Sequence, residues 1–184
     1  MLPHLTPLNG GASPSVQVPP PPHFKAVVGK PHSVNFKPNP FKNQRGDTPA
    51  KQAGIRYEEL AHGYLANLPL NYVERPFFHF HDNTGWRTCA PDGMFLHSEW
   101  IAIVEIKYQH VPEAWWQLRR LYEPVLRAFC KQRALRLVEV VRSYDAATPF
   151  PETPALAYDL PLWLTSVARD GEFAVHRWSG RDGK

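Results

Sequence analysis

Residues Pro91–Lys107 read PDGMFLHSEWIAIVEIK, and this stretch decides the fold that the sequence predicts. Pro-Asp-Gly is typical of a turn, and the apolar run that begins at Trp100 predicts a strand at the centre of a sheet. Because side chains alternate along a strand, Glu105 and Lys107 are expected on one face, with Ile106 on the other. The stretch therefore places charged side chains at the end of an apolar strand.

The charged residues of this stretch are those that a hard divalent cation requires. Asp92 and Glu105 supply carboxylate oxygens, the ligands that Mg²⁺ prefers. Burial of two carboxylates and an ammonium costs free energy unless the groups are paired or used. Lys107 beside a bound cation could hold a water, or help to deprotonate it, for attack on a phosphate. The pattern predicts a metal-dependent nuclease that uses one or two ions.

The segments on either side of this stretch alternate between helical and strand periodicity. Thr48 is a suitable N-cap for the first helix, and Pro124 is expected to kink the second. The order of elements indicates an α/β fold with a mixed sheet in a domain that spans residues 49–184. The predicted elements are a helix at 50–68, strands at 72–80, 87–96 and 100–108, a helix at 112–134, a strand at 135–142, a short helix at 162–168 and a strand at 172–178.

Residues 1–48 predict an extended, proline-rich, basic arm. Eleven of the 20 prolines lie in the first 50 residues. The same 50 residues carry five cations and one anion, whereas the remainder is balanced, so the formal net charge of +4 belongs to the arm. Such a segment lacks the apolar surface to fold alone and would need its own domain, another subunit or a larger assembly to lie on. Its charge suits an anionic partner, most simply nucleic acid.

Composition narrows the class of protein further. Two cysteines, Cys89 and Cys130, form no disulfide framework, so we expect a reducing compartment. The chain contains no run of 18 apolar residues and no charged-then-apolar leader, which predicts a soluble, cytoplasmic protein without a membrane partner.

The spacing of the charged residues resembles that of the PD-(D/E)xK nuclease superfamily. Pro91-Asp92, a gap of twelve residues and Glu105-Ile106-Lys107 match its core motif, and the resemblance covers roughly residues 51–142. It implies a restriction-endonuclease-like core that cleaves DNA. Asp92, Glu105 and the Ile106 carbonyl would bind Mg²⁺ or Mn²⁺, and Lys107 would position the attacking water.

Two further candidates follow from the same resemblance. Gly54-Ile55-Arg56-Tyr57-Glu58 is similar to a Gly-x-x-aromatic-Glu pattern on the first helix of many members, which implies a metal ligand at Glu58. The lambda-exonuclease and RecB-like branches place a glutamine and a tyrosine on the helix after the ExK motif. Gln117 and Tyr122 occupy that helix here, at a spacing of five rather than four. Gln117 is therefore a catalytic candidate, whereas Tyr122 falls on the apolar stripe and is expected in the core.

Other interpretations of the sequence remain. His79 and His81 lie at alternate strand positions and could hold zinc with Cys89 and His97, although their spacing matches no tight zinc pattern. His110 could contact phosphate or cap a turn. A cation-rich segment could bind DNA phosphates or form a solvated helix face. It contains Arg119, Arg120, Arg127, Lys131, Arg133, Arg136 and Arg142.

The alternative to an enzyme is a structural or assembly protein that keeps a nuclease fold. In that case the N-terminal arm would dock on neighbouring subunits of a homo-oligomer or of a larger complex such as a virion. Because relic folds usually lose such residues, Asp92, Glu105 and Lys107 favour the nuclease.

Overall fold

The computed structural model describes residues 18–37, 48–143, 147–154 and 173–181. The regular elements of the described residues are two sheets, three α-helices and a π-helical turn. A helix covers one face of the larger sheet, and the other face packs on a second, continuous helical segment and on the smaller sheet. The elements are β1 (His32–Lys37), α1 (Pro49–Ala66), β2 (Asn71–Glu74), β3 (Phe77–Asp82), β4 (Gly85–Cys89), β5 (Gly93–Leu96), β6 (Trp100–Gln109), α2 (Pro112–Gln117), a π-helical turn (Leu118–Tyr122), α3 (Glu123–Phe129), β7 (Ala134–Ser143) and β8 (Ala174–Ser179).

The larger sheet has the strand order β2-β5-β6-β7-β8, with β6 at its centre. β6 and β7 run parallel, and the other neighbours in this sheet are antiparallel. Residues 100–106 of β6 are all buried, as expected of a strand covered on both faces. Ile101 and Ile103 pack towards α2 and α3, whereas Val104 and Ile106 pack under α1. The prediction of an α/β fold with a mixed sheet is confirmed.

Two of the predicted strands were wrong in extent, because each is divided between the two sheets. The segment 72–80 breaks at Arg75, whose φ of 46° lies in the left-handed region, and at Pro76, which has no N–H for a ladder. The segment 87–96 breaks before Pro91. As a result, β2 and β5 pair in the larger sheet, while β1, β3 and β4 form the smaller antiparallel sheet.

The first helix begins as predicted. Thr48 accepts a hydrogen bond of 3.3 Å from the Lys51 N–H and has the extended backbone of an N-cap. The helix buries Tyr57, Ala61 and Leu65 against the larger sheet. Leu60, on the same helix, is 50% exposed.

The second predicted helix is shorter than expected and contains a π-helical turn. Pro124 has no N–H to donate to the carbonyl of Arg120, four residues earlier. The N–H of Val27 donates to that carbonyl instead, at 3.0 Å. The Glu123 N–H reaches back five residues to the Leu118 carbonyl. The expected distortion at Pro124 is therefore present, and the helix ends at Phe129.

Residues 18–37, within the predicted arm, contact the smaller sheet of the same chain. β1, which the sequence did not predict, pairs antiparallel with β3. Arg87 ties the preceding segment down, since its guanidinium donates to the carbonyls of Lys25 and Ala26 and to the buried carboxylate of Asp82. Asp82 also accepts from the Val28 N–H at 3.1 Å. The partly buried guanidinium of Arg87 and the buried carboxylate of Asp82 thus hold residues 25–28 on the smaller sheet.

At the other end of the chain, the predicted strand is present as β8, whereas the predicted helix at 162–168 lies outside the described residues. The described helices include none with the length and apolar character needed to cross a lipid bilayer.

Candidate active site

A row of ionisable side chains crosses the larger sheet on the face that packs towards α2 and α3. Glu105 on β6 is the register partner of Glu139 on β7, which in turn pairs with His176 on β8. Asp92 precedes Gly93, the partner of Val104, and so lies opposite Glu105. Directly opposed residues share a face of a sheet. Strand pairing therefore brings Asp92 and Glu105 together, as the sequence predicted, and adds Glu139 and His176.

Two hydrogen bonds hold the predicted pair in place. The backbone N–H of Ile106 donates to Oδ2 of Asp92 at 2.7 Å, which joins the turn before β5 to the end of β6. The ammonium of Lys107 donates to Oε1 of Glu105 at 2.5 Å. Glu105 is 2% exposed, whereas Asp92 and Lys107 are partly exposed. The site is therefore buried at Glu105 and open to solvent on the lysine side.

The charges of this pair are poorly compensated. Burial, followed by repulsion from Glu105, raises the pKa of Asp92 well above its usual value. Burial also raises the pKa of Glu105, against the opposing effect of Lys107. Although burial opposes its charge, Lys107 has a raised pKa because both carboxylates favour the ammonium. Oε2 of Glu105 is buried and makes no hydrogen bond of good geometry among the described residues, although the nearby Tyr122 hydroxyl also lowers the pKa of this carboxyl. The positive charge of one lysine is thus shared between two carboxylates.

Glu58 lies at the edge of this group and has partners of its own. Its Oε1 accepts from Arg75, at 3.1 Å from Nε and 3.0 Å from Nη2, and lies 3.4 Å from Nε2 of His62. The hydrogen bond with His62 contributes most to lowering the pKa of Glu58, against the effect of burial. Glu58 also raises the pKa of Asp92, which indicates that its charge is within electrostatic range of the pair. All three contacts use Oε1.

Gln117 lies on α2 in a neighbouring cleft. Its Oε1 is buried and has no hydrogen-bond partner in the described part of the chain. Glu113, on the wall of the same cleft, is within electrostatic range of Lys107 and, after Glu105 and Asp92, favours its ammonium. The cleft has a volume of about 410 Å³. Its lining consists of His23, Phe24, Lys25, Arg87, Thr88, Glu113, Gln117 and Leu121.

Tyr122 is buried, at 4% exposure, as its position on the apolar stripe predicted. Its hydroxyl donates to the Ala90 carbonyl at 3.4 Å. Burial, followed by the charge of Glu105, raises the pKa of Tyr122. Tyr122 therefore packs beside the acidic pair as a neutral phenol.

A second group, which the sequence analysis did not identify, continues the row. Nδ1 of His110 lies 2.9 Å from each carboxylate oxygen of Glu139, and Nδ1 of His176 lies 3.0 Å from Oε2. Burial opposes the charge of Glu139, but hydrogen bonds with the two imidazoles keep its pKa below the usual value. His110 is thus a buried partner of Glu139 rather than a cap on a turn. The sequence feature that could have indicated this group is a histidine directly after a strand predicted to be central in its sheet.

Two arginines of the cation-rich segment that could bind DNA are engaged in ion pairs within the protein. Arg119 is 3% exposed and donates to Glu123 at 2.9 Å and to Glu152 at 2.7 Å. Arg127 is partly buried and also donates to Glu123. These guanidiniums therefore stabilise the packing of the π-helical turn and α3 against residues 147–154. Arg120, Lys131, Arg133 and Arg142 are exposed.

The zinc alternative does not fit at Cys89, although His79 and His81 share one face of β3 as predicted. His79 stacks on Trp86 with ring centroids 4.5 Å apart, and His81 contacts His32. Cys89 points into the core on the opposite face of the smaller sheet. Because of this alternation, Cys89 cannot join the two histidines.

The donor set of the acidic pair fits a hard divalent cation. Asp92 and Glu105 offer carboxylate oxygens whose mutual repulsion a cation would remove, and the second oxygen of Glu105 makes no hydrogen bond of good geometry among the described residues. No family model, curated protein or solved structure matches this chain.

Proposed function

We propose that the protein is a divalent-metal-dependent deoxyribonuclease with a restriction-endonuclease-like core. The observation that carries the proposal is the opposition of Asp92 and Glu105 across β5 and β6, with the Lys107 ammonium bonded to Glu105. Two carboxylates that repel one another beside a single lysine destabilise the metal-free protein. Binding of Mg²⁺ or Mn²⁺ removes that cost, and the Ile106 carbonyl and Glu58 are the further ligands implied by the resemblance.

The proposed reaction is hydrolysis of a phosphodiester bond by water. A bound divalent cation would polarise the phosphate and lower the pKa of a coordinated water. Both carboxylates favour the ammonium of Lys107, so this residue would donate hydrogen bonds, and the attacking water would lose its proton to solvent at the open side of the site. The role of Lys107 is to orient the water or a phosphate oxygen at the open side of the site. The Ile106 N–H keeps Asp92 directed at the same point.

Phosphate contacts outside the acidic pair would come from the neighbouring cleft. Gln117 offers a buried amide oxygen without a partner in the described residues, together with an amide N–H₂ that can donate to phosphate. Lys25 and Arg120 are exposed close to the same wall, where α2 and the π-helical turn contact the N-terminal segment. Binding through such cations weakens as salt increases.

Cleavage assays with matched variants test the proposal. Linear, circular and single-stranded DNA are incubated with Mg²⁺, Mn²⁺ or EDTA, using the wild type, Lys107→Met and the control Lys51→Met. Both variants remove one lysine charge, but Lys51 is exposed at the start of α1. We expect metal-dependent cutting that Lys107→Met loses and Lys51→Met retains. Cutting of the circular substrate identifies an endonuclease, and cutting of the linear substrate alone identifies an exonuclease.

Calorimetry decides between this proposal and the assembly protein. Failure to cut any substrate, with no heat of Mg²⁺ or Mn²⁺ binding, would overturn the nuclease. The arm would then be the principal functional feature. Residues 18–37 lie on the chain's own domain, so docking on a neighbouring subunit would have to use other residues of the arm.

A further inference from the structure

The His110–Glu139–His176 cluster has no part in the proposed reaction, although it lies in the same row as Glu105. Its three side chains come from the residue after β6, from β7 and from β8. One ligand atom from each residue can be chosen so that all three lie within 4.8 Å of one another. Around a tetrahedral zinc ion, ligand atoms lie roughly 3.3 Å apart, given bond lengths of about 2.0–2.1 Å. The observed separations of 2.9 and 3.0 Å are close to that value.

We propose that His110, Glu139 and His176 form a second metal site, specific for a borderline transition ion such as Zn²⁺. Two imidazole nitrogens and one carboxylate are a donor set that Zn²⁺ binds with a fourth position left for water. Mg²⁺ prefers oxygen ligands and selects the Asp92–Glu105 pair instead. The two sites would therefore bind different ions by virtue of their ligands.

The surroundings of the cluster favour a cation. Glu139 is fully buried, and Glu105 on the neighbouring strand adds a second negative charge on the same face of the sheet. The ring of Phe150 covers the cluster, with its centroid 4.2 Å from that of His110 and 4.6 Å from that of His176. An apolar cover strengthens the attraction between a cation and these carboxylates. The His176 side chain is 14% exposed and offers the route of entry.

The competing explanation is that no metal binds, and that hydrogen bonds from the two imidazoles to the carboxylate of Glu139 hold the three side chains together. The same distances suit hydrogen bonds between imidazole and carboxylate. The two explanations differ in what His176→Asn does. The asparagine amide can still donate a hydrogen bond to Glu139, so the packing is kept, but it is a poor ligand for Zn²⁺.

Titration with Co²⁺ tests the proposal, because Co²⁺ replaces Zn²⁺ and has visible ligand-field absorption that reports its coordination. The full chain is freed of metal with a chelator, and Co²⁺ is then added in the presence of excess Mg²⁺. We expect one Co²⁺ per chain in the wild type. Loss of a residue that merely orients a ligand lowers metal affinity about 10–100-fold. His176→Asn removes a ligand itself and should lower the Co²⁺ affinity by about 100-fold or more.

Three further variants make the result decisive. His97→Asn is the matched control, since His97 stacks on Trp100 away from the cluster, and it should bind Co²⁺ as the wild type does. Asp92→Asn should also leave this affinity unchanged, which separates the site from the proposed nuclease site. Glu139→Gln should abolish binding; if that variant does not fold, His176→Asn decides. Absence of Co²⁺ binding in the wild type, or unchanged affinity in His176→Asn, would overturn the proposal.

Discussion

Glu105 and Glu139 are direct partners in the parallel pairing of β6 and β7, so two buried carboxylates lie on adjacent strands and share one face of the sheet. Their partners differ. Glu139 is hydrogen-bonded to two imidazoles, which hold its pKa low despite burial. Glu105 is bonded to Lys107 through one oxygen, and burial raises its pKa. This contrast identifies Glu105 as the carboxylate that a hard cation would stabilise most.

Asp92→Asn should separate stability from activity. The substitution removes the repulsion between Asp92 and Glu105, and the asparagine carbonyl can still accept the hydrogen bond from the Ile106 N–H. In EDTA we expect the free energy of unfolding to rise, because the variant removes a charge that burial and repulsion from Glu105 disfavour. Cleavage and Mg²⁺ affinity should both be lost. Thermal unfolding in EDTA and calorimetry with Mg²⁺ measure the two effects.

The control for that experiment is Glu99→Gln, which removes a carboxylate that is exposed at the start of β6. It should change neither the free energy of unfolding in EDTA nor the affinity for Mg²⁺. A decrease in the melting temperature of Asp92→Asn would contradict the electrostatic account of the site.

The metal-free protein should lose stability at the acidic pair as the pH rises. The folded-state pKa values of Asp92 and Glu105 lie above those of the unfolded chain, which are about 3.9 and 4.3. The folded state therefore binds more protons than the unfolded chain. The stabilisation that these protons contribute is complete below the unfolded-state pKa values and is lost as the pH rises through the folded-state values. Added Mg²⁺ replaces the protons, so the stabilisation by Mg²⁺ should grow with pH.

Melting temperatures of the wild type and Asp92→Asn, measured between pH 4 and pH 8 with Mg²⁺ or EDTA, check this trend. Other groups respond to pH in the opposite direction: Glu139 has a lowered pKa, so the stability that it contributes falls on acidification. Because such groups are present in both proteins, their effect cancels in the difference between the two melting temperatures. A stabilisation by Mg²⁺ that is independent of pH would count against ligation by this pair.

Arg87→Met should loosen the N-terminal segment. The variant leaves the buried carboxylate of Asp82 without its guanidinium partner and removes two hydrogen bonds to the carbonyls of Lys25 and Ala26. Asp82 keeps its bonds to Thr84, so we expect a loss of about 2–3 kcal/mol in the free energy of unfolding. Limited proteolysis after Lys25 should become faster. Arg133→Met, at an exposed position, serves as the control and should show neither change.

Gln117→Leu should stabilise the protein and weaken substrate binding. The leucine removes a buried amide oxygen that has no hydrogen-bond partner in the described residues, which should raise the free energy of unfolding by about 1 kcal/mol. If the amide contacts phosphate in the nuclease, the KM for DNA rises about tenfold while Mg²⁺ affinity stays constant. Gln132→Leu, on the exposed loop after α3, is the matched control. An unchanged KM would remove Gln117 from the site.

The alternation of residues in β6 was enough to predict the core of the candidate site. Period-two alternation is local, so Glu105 and Lys107 had to share a face wherever the strand packed. The apolar run before Glu105 likewise required a position covered on both sides, which β6 has. The N-cap at Thr48 and the distortion at Pro124 are local for the same reason. These features follow from the chemistry of a few neighbouring residues.

The tertiary structure decided every relationship that depends on which strands pair and in which register. Glu139 meets His110 across 29 residues and His176 across 37, and no local pattern encodes either contact. The burial of Arg119 likewise depends on Glu152, 33 residues further along the chain. Register is set by the burial of whole faces against distant elements. The sequence by itself therefore determined which side chains could act together within one strand, and the pairing of the sheet determined which charges they met.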